Sequence, residues 1–130
     1  MSPPGERGLR LEVVTPDGPA VLEDGVEVVV VRRREERFEV GSEVAIFPRH
    51  APLLVRVALA PARFRVGGRT YHLATAGGFA EVKRDRVLIV TPRLERVPAG
   101  EPRPAARAES TCARWRREIA DLRGEMAGYP

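Results

Sequence analysis

The sequence predicts a mainly β fold, a sandwich or barrel, followed by one helix, and three observations carry that reading. From Leu9 to Thr91, short β-branched runs are separated by Gly, Pro and Asp at close spacing, with no helical period among them. Val97 to Pro104 holds three prolines and a glycine, which remove backbone donors and disfavour helix in the residues before them, so a linker is expected there. Beyond it, Ala108, Cys112, Trp115, Ile119, Leu122 and Met126 recur at spacings of 4, 3, 4, 3 and 4, which places them along one helix face. The expected organisation is a flexible N-terminus over residues 1–8, a β domain over 9–97, a Pro-rich linker over 98–104 and a helix over 105–127, closed by Gly128 and Pro130.

Taken in order, Leu9, Leu11 and Val13 alternate with Arg10 and Glu12, as a strand does when one face is buried. Pro16-Asp17-Gly18-Pro19 has turn chemistry, because proline presets φ and glycine supplies positive φ. Ala20 to Leu22 reads as a short second strand. A second turn at Asp24-Gly25 leads into Val26 to Val31, whose run of valines suits a strand with neighbours on both faces. Arg63 to Val66 and Arg69 to Leu73 flank Gly67-Gly68, a two-residue connection that suits a hairpin. Its register places Phe64 opposite Tyr71 with Val66 and Leu73 on the same face, and Arg63 with His72 on the other. A second hairpin pairs Phe79 to Val82 with Val87 to Val90 around Arg84-Asp85.

Composition removes several function classes. With 130 residues, 43% hydrophobic and 31% charged, the chain is sized for one main domain plus an appendage and is far from disorder-prone. The longest apolar run, Val28 to Val31, is far short of the roughly 20 residues of a membrane-spanning helix, and Met1 to Arg10 has no apolar signal region, so a cytoplasmic setting is expected. One cysteine, Cys112, allows no internal disulfide and no zinc-site spacing, and His50 with His72 makes an unconvincing metal pair. Gly77-Gly78 is not followed by the Lys-Ser/Thr of a phosphate loop, and no Cys/His or paired-carboxylate cluster stands out, so neither catalysis nor a cofactor is expected. The net charge of +4 reads as solvated arginines. The alternative is a basic β-barrel that binds nucleic acid through Arg32 to Arg34, Arg63, Arg65, Arg69 and the arginines of the terminal helix. Aromatics are only 5% and Phe64 and Tyr71 face inward, which leaves no stacking platform, so no nucleic-acid partner is expected.

The most informative stretch runs Gly41-Ser42-Glu43-Val44-Ala45-Ile46-Phe47-Pro48-Arg49-His50-Ala51-Pro52-Leu53-Leu54, in which two prolines bracket a histidine after a short apolar strand. It resembles the Gly-Glu-Leu-Gly-Ile-Tyr/Leu-Pro-Gly-His-Ala-Pro-Leu-Leu motif of the epsilon subunits of rotary F-type ATP synthases, with Glu43, Ile46, Pro48 and His50 to Leu54 in matching places. Gly77-Gly78-Phe79-Ala80-Glu81-Val82 is similar to the same family's Gly-Gly-aliphatic-x-Glu-Val segment. The opening strand Leu9 to Thr15, Gly25-Val26-Glu27 and Val87 to Thr91 extend the resemblance over nearly the whole β domain.

The resemblance implies a ten-stranded β-sandwich followed by a helical segment. It further implies a non-catalytic rotor part of the central stalk, docked on the gamma subunit and resting on the membrane ring of c subunits, with alpha, beta and delta subunits in the same complex. The setting would be the cytoplasmic face of the cell membrane, held there peripherally. In that family the proline-braced loop lies where epsilon meets gamma and the ring, so Glu43, Pro48, Arg49, His50 and Pro52 become candidate contact residues. Trp115, Ile119 and Leu122 become candidate packing residues of the helix, set either on the protein's own sandwich or on gamma.

Three departures qualify the resemblance. Arg32 to Phe38 looks like an insertion, a longer charged hairpin between Val31 and Val44. Ala45 and Arg49 stand where the family usually has glycine. The tail has room for one helix where typical members carry two that can inhibit ATP hydrolysis, and Arg103-Pro104-Ala105-Ala106-Arg107-Ala108 lacks the acidic residue of the family's ATP-binding segment, so no ATP binding is expected there.

Overall fold

The computed structural model describes residues 8–36 and 40–127, with side chains as far as Gly124. Residues 1–7, Arg37 and Phe38 of the charged insertion, the Met126 side chain, and the expected helix stops Gly128 and Pro130 lie outside the described residues. The strands are β1 (Leu9–Thr15), β2 (Gly18–Arg32), β3 (Glu43–Ile46), β4 (Leu53–Val66), β5 (Arg69–Lys83), β6 (Arg86–Val90) and β7 (Leu94–Arg96), followed by helix α1 (Pro104–Ala127). The pairing order β1-β6-β5-β4-β2 closes through a further β1–β2 pairing, so five strands form a ring; β3 extends it on β2, and β7 pairs with β5. Most neighbours are antiparallel, but β1 and β6 run parallel, with Leu11 opposite Val87 and Val13 opposite Ile89.

Ten strands were expected and seven continuous ones are present among the described residues. The difference arises because β2, β4 and β5 each run 14 or 15 residues and change partner along their length. β2 pairs with β1 over Gly18 to Val26 and then with β4 and β3 over Val26 to Arg32. β5 pairs with β7 through Leu73 to Thr75 and with β6 through Phe79 to Lys83. The turn expected at Asp24-Gly25 is therefore a bend inside β2. Gly25 sits at φ 68, and the β2–β4 register slips between Val26 and Val28, the signature of a bulge. Gly77 and Gly78, at φ 92 and 104, mark the corresponding position in β5. Left-handed backbone there costs glycine nothing and other residues a great deal.

Both hairpin registers agree with the sequence pattern. Phe64 faces Tyr71 and Arg63 faces His72 across Gly67-Gly68, and the Phe64 and Tyr71 rings stack at 5.2 Å. Phe79 to Val82 pairs with Val90 to Val87 around Arg84 and Asp85, both in the left-handed region. The inward residues form one core that includes Leu9, Leu11, Val13, Val29, Val31, Ile46, Phe64, Leu73, Val82 and Ile89. Alternation explains the membership: in β1 the buried residues are Leu9, Leu11 and Val13, with Arg10 exposed between them.

Helix α1 begins at Pro104, a residue suited to the first helical position because its missing N–H has no partner there anyway. Its first half packs on β5, β4 and β7, where Cys112 and Trp115 cluster with Ala74, Leu59 and Ala76, and Ala108 is buried as well. Polar contacts fix the docking. The Thr111 hydroxyl donates to Glu95 at 3.1 Å, Arg116 donates to the Leu59 carbonyl at 2.7 Å, and the Arg93 guanidinium lies 4.7 Å from the Trp115 ring centre while reaching Glu118 at 2.9 Å. The Trp115 indole N–H is buried without a hydrogen-bond partner among the described residues, so packing and the Arg93 contact hold the ring. The second half runs past the sandwich, and Ile119 and Leu122 are 41% and 58% exposed.

A Cβ built on Gly78 would stand 1.8 Å from the Val90 carbonyl oxygen, whereas one on Gly67 would meet nothing within 4 Å. Gly78→Ala is accordingly expected to lower stability by about 3 kcal/mol or more and Gly67→Ala by about 1 kcal/mol; equal denaturation midpoints for the two variants would contradict the bend described. Burial raises the Cys112 thiol from its ordinary 9.0 to about 11. A raised pKa means the docked helix keeps a proton that the released helix gives up, so docking is at full strength below pH 9 and weakens as pH climbs toward about 11. Maleimide labelling of Cys112 should be slow at neutral pH and become fast in Trp115→Ala, which removes about 3 kcal/mol of docking.

Candidate partner-binding site

The segment Phe47 to Pro52 links β3, which lies against β2, to β4, which lies against β5 at the other side of the core. A tight turn starts it: the His50 amide donates to the Phe47 carbonyl at 3.2 Å. Arg49, where a glycine was expected from the family pattern, takes φ 65 and keeps it because its amide donates to the Asp85 carboxylate at 2.6 Å. Asp85 in turn accepts the Arg10 amide on its own carbonyl at 2.8 Å. One aspartate thus ties the proline-braced loop, the β5–β6 turn and the start of β1 into one rigid end. His50 turns its Nδ1 to the Ala51 carbonyl at 2.7 Å, so the imidazole is oriented by its own loop. Phe47 and Pro52 are exposed, and Pro48 and His50 half-buried.

The five loop candidates divide. Pro48, Arg49, His50 and Pro52 share this end. Glu43 starts β3, four residues of strand away, about 13 Å along the chain at the usual strand rise. Its carboxylate is already engaged, with Arg63 at 2.9 and 3.1 Å and Arg32 at 3.7 Å. The Arg63 hydrogen bonds hold the Glu43 carboxyl below its ordinary pKa, and Glu43 raises that of Arg63. Glu43 therefore closes the mouth of the β2–β3 hairpin, and its charge is matched before any partner arrives. Of the helix candidates, Trp115 is 2% exposed and packed on the sandwich, while Ile119 and Leu122 stand largely in solvent.

Sequence reasoning missed a second surface. On the outer side of β4, β5, β6, β1 and β2, cross-strand register lines up Leu54, Glu81, Leu88, Glu12 and Leu22 in one row and Arg56, Phe79, Val90 and Val14 in the next. Leu22, Leu54, Phe79 and Val90 are 56, 68, 51 and 46% exposed, a concentration of bare apolar side chains on one sheet face. Arg10, Lys83, Arg84 and Arg86, with Glu12 and Glu81, line a shallow depression at its edge. The signal was present in Val87-Leu88-Ile89-Val90, a run apolar on both faces of its strand although one face meets no element among the described residues. Among the described residues no three His, Cys, Asp or Glu side chains gather as a metal site, and no helix is long and apolar enough to cross a membrane.

Comparison with known proteins agrees with the resemblance read from the motifs. Residues 8–97 match the family model described as the beta-sandwich domain of the ATP synthase delta/epsilon chain. The ATP synthase epsilon chain of Carboxydothermus hydrogenoformans is 35% identical over 112 residues, 86% of this chain and 76% of that protein. That of Nitratidesulfovibrio vulgaris is 31% identical over 126 residues, 94% and 89%. Two solved structures share the fold: a chain of the Euglena gracilis mitochondrial ATP synthase, at TM-score 0.61 and 19% identity over 70% of this chain and 54% of that one, and a chain of the Tetrahymena thermophila mitochondrial ATP synthase central stalk and c-ring, at 0.56 and 16% over 91% and 95%. With the fold, the loop motif and the relatives in agreement, the chain belongs to the ATP synthase delta/epsilon family.

Proposed function

We propose that this chain is a non-catalytic rotor subunit of an ATP synthase, a rigid coupling between the gamma subunit and the membrane c-ring on the cytoplasmic face of the membrane. Ion flow would turn the ring, and the subunit would pass that torque to the shaft serving the catalytic head of alpha, beta and delta subunits. The observation that carries the reading is the bare apolar face of Leu22, Leu54, Phe79 and Val90, which lies next to the rigid proline-braced end. A part with two partners needs two contact surfaces on one stiff body, and this body offers both.

The stiffness has a structural source. If β2, β4 and β5 are each counted once in either layer, the seven strands become two layers of five, the ten-stranded sandwich the resemblance implies. Shear between such layers would have to break pairing within continuous strands. The apolar face suits gamma, with Arg10, Lys83, Arg84 and Arg86 as its polar rim, and Pro48, Arg49, His50 and Pro52 suit the junction of gamma and ring.

Two sets of variants test this. Phe79→Asp with Val90→Asp should weaken capture of the chain by purified gamma about a hundredfold or more, with the melting temperature little changed because both side chains are already exposed; capture at wild-type affinity would remove the face from the interface. His50→Ala with Pro52→Ala should reduce ion-coupled ATP synthesis in the reconstituted complex while the isolated chain stays folded, and unchanged coupling would count against the loop's role.

A further inference from the structure

Among the described residues, three other than glycine hold the left-handed backbone conformation: Arg49 at φ 65, Arg84 at φ 50 and Asp85 at φ 59. All three stand at one end of the body, where the Phe47–Pro52 segment meets the β5–β6 turn, and the Arg49 amide links them by donating to the Asp85 carboxylate at 2.6 Å. Arg84 and Asp85 are the two residues of a hairpin turn that asks for positive φ at both positions. Arg49 is the third residue of the turn closed by the His50 amide on the Phe47 carbonyl, with Pro48 second, and that third position favours glycine or asparagine. An arginine there brings its Cβ against the following carbonyl oxygen, whereas glycine would take the same φ freely.

The fold gains nothing from the side chain at this position. The bond to Asp85 uses the backbone amide, which any residue but proline would supply. The guanidinium is exposed and forms no ion pair with a described residue. Unpaired arginines are common in this chain; one held on a backbone that disfavours it, with glycine the easier choice, is not. Arg84 shares the conformation, but it lines the depression beside Glu12 and Glu81, whereas the segment from Phe47 to Pro52 carries no acidic side chain. Backbone strain that the surrounding structure over-determines points to a side chain in use. Its setting agrees: Phe47, 56% exposed, and Pro52, also exposed, flank the guanidinium in sequence with apolar surface.

We propose that Arg49 determines which partner the proline-braced loop accepts, its guanidinium pairing with a carboxylate that the membrane ring presents to this end, and Phe47 and Pro52 shielding the pair from water. This pairing rests on the reading that the loop meets the ring, and adds the chemistry of the surface it meets: an acidic side chain set among apolar ones. A planar guanidinium engages both carboxylate oxygens at once, which an ammonium does not. Excluding water from around the pair strengthens it. A ring with a neutral or basic residue facing Arg49 is refused, because the guanidinium then loses water without gaining a partner. An anionic lipid surface is the less fitting occupant, since it is recognised by several cations together, not by one on a rigid tip between apolar residues.

Binding of the full chain to the purified ring of the same complex, held in lipid nanodiscs and measured across a salt series, tests it. Arg49→Gly is expected to weaken binding about tenfold or more and to flatten its salt dependence. Its melting temperature should equal or exceed that of the wild type, because glycine relieves the backbone while the amide bond to Asp85 remains, so lost binding is not lost folding. Arg49→Lys keeps the charge without the paired geometry and should fall between the two; Arg49→Glu should bind more weakly than Arg49→Gly. The proposal is overturned if Arg49→Gly binds at wild-type affinity, if Arg49→Lys is no better than Arg49→Gly, or if anionic nanodiscs without the ring capture the chain through Arg49. His50→Ala with Pro52→Ala separates the pairing from the reading beneath it. Should that variant lose ring binding while Arg49→Gly keeps it, the loop still meets the ring and only the pairing falls; should neither lose it, both fall.

Discussion

The structure depends on the ability of β5 to bend without leaving its neighbours. This one strand pairs with β4 along its whole length, with β7 near Leu73 and with β6 from Phe79, and its Ala74 and Ala76 lie under the helix. A straight strand of 15 residues would be about 50 Å long, far beyond what one face of so small a domain can cover. Gly77 and Gly78 resolve the conflict: at positive φ they redirect the strand while its pairing with β4 continues from Ala76 to Gly78 in one register. The bend also brings the Val90 carbonyl so close to Gly78 that no side chain fits between them. Strand continuity and the surface on which α1 docks both depend on that pair of residues.

Much of this was legible in the sequence, and the parts that were not share a cause. The Gly67-Gly68 and Arg84-Asp85 hairpins could be registered residue by residue, because a two-residue turn fixes pairing and alternation fixes the face. Asp24-Gly25 misled, since a glycine at positive φ serves a bulge as well as a turn and only the partner strand distinguishes them. Partner exchange along β2, β4 and β5 is a tertiary fact with no local mark. The loop residues Pro48 to Pro52 were singled out by their resemblance to the family motif. Glu43 was grouped with them by the same motif, although the length of β3 carries it to the other end of that strand, where Arg63 and Arg32 hold it. The stripe from Ala108 to Leu122 showed which face of α1 is apolar but not how far the surface beneath it extends, so Trp115 is covered and Leu122 is not.

The arginine content also takes on a more specific meaning. Several of these residues stand beside a glutamate on a neighbouring element: Arg63 with Glu43, Arg65 with Glu27, Arg96 with Glu23, Arg107 and Arg114 with Glu95. Both partners remain substantially exposed, so such pairs add little stability and are weakened by salt. Their effect is to cancel charge locally, so that the sequence total of +4 is unevenly distributed. Part of the unmatched charge stands at the edge of the bare apolar face, where Arg10, Lys83, Arg84 and Arg86 lie beside Glu12 and Glu81.

A body with one covered and one bare face follows from the same economy. The helix hides Ala74, Leu59 and Ala76 on one outer surface, and Trp115 seals that contact. Nothing in the described chain does this for Leu54, Phe79 and Val90, and a concentration of bare apolar side chains on one sheet face has the character of a contact surface. A free outer face must be flat and rigid to be useful, and the ring of five paired strands beneath it supplies that rigidity. Because Asp85 locks the neighbouring loop to the same strands, a force applied at Pro48 to Pro52 reaches the apolar face through hydrogen-bonded backbone, with no flexible joint on the way. Torque can pass between two partners only through such a path, and the contact between the Arg49 amide and the Asp85 carboxylate adds a cross-link to the loop's covalent joins with β3 and β4.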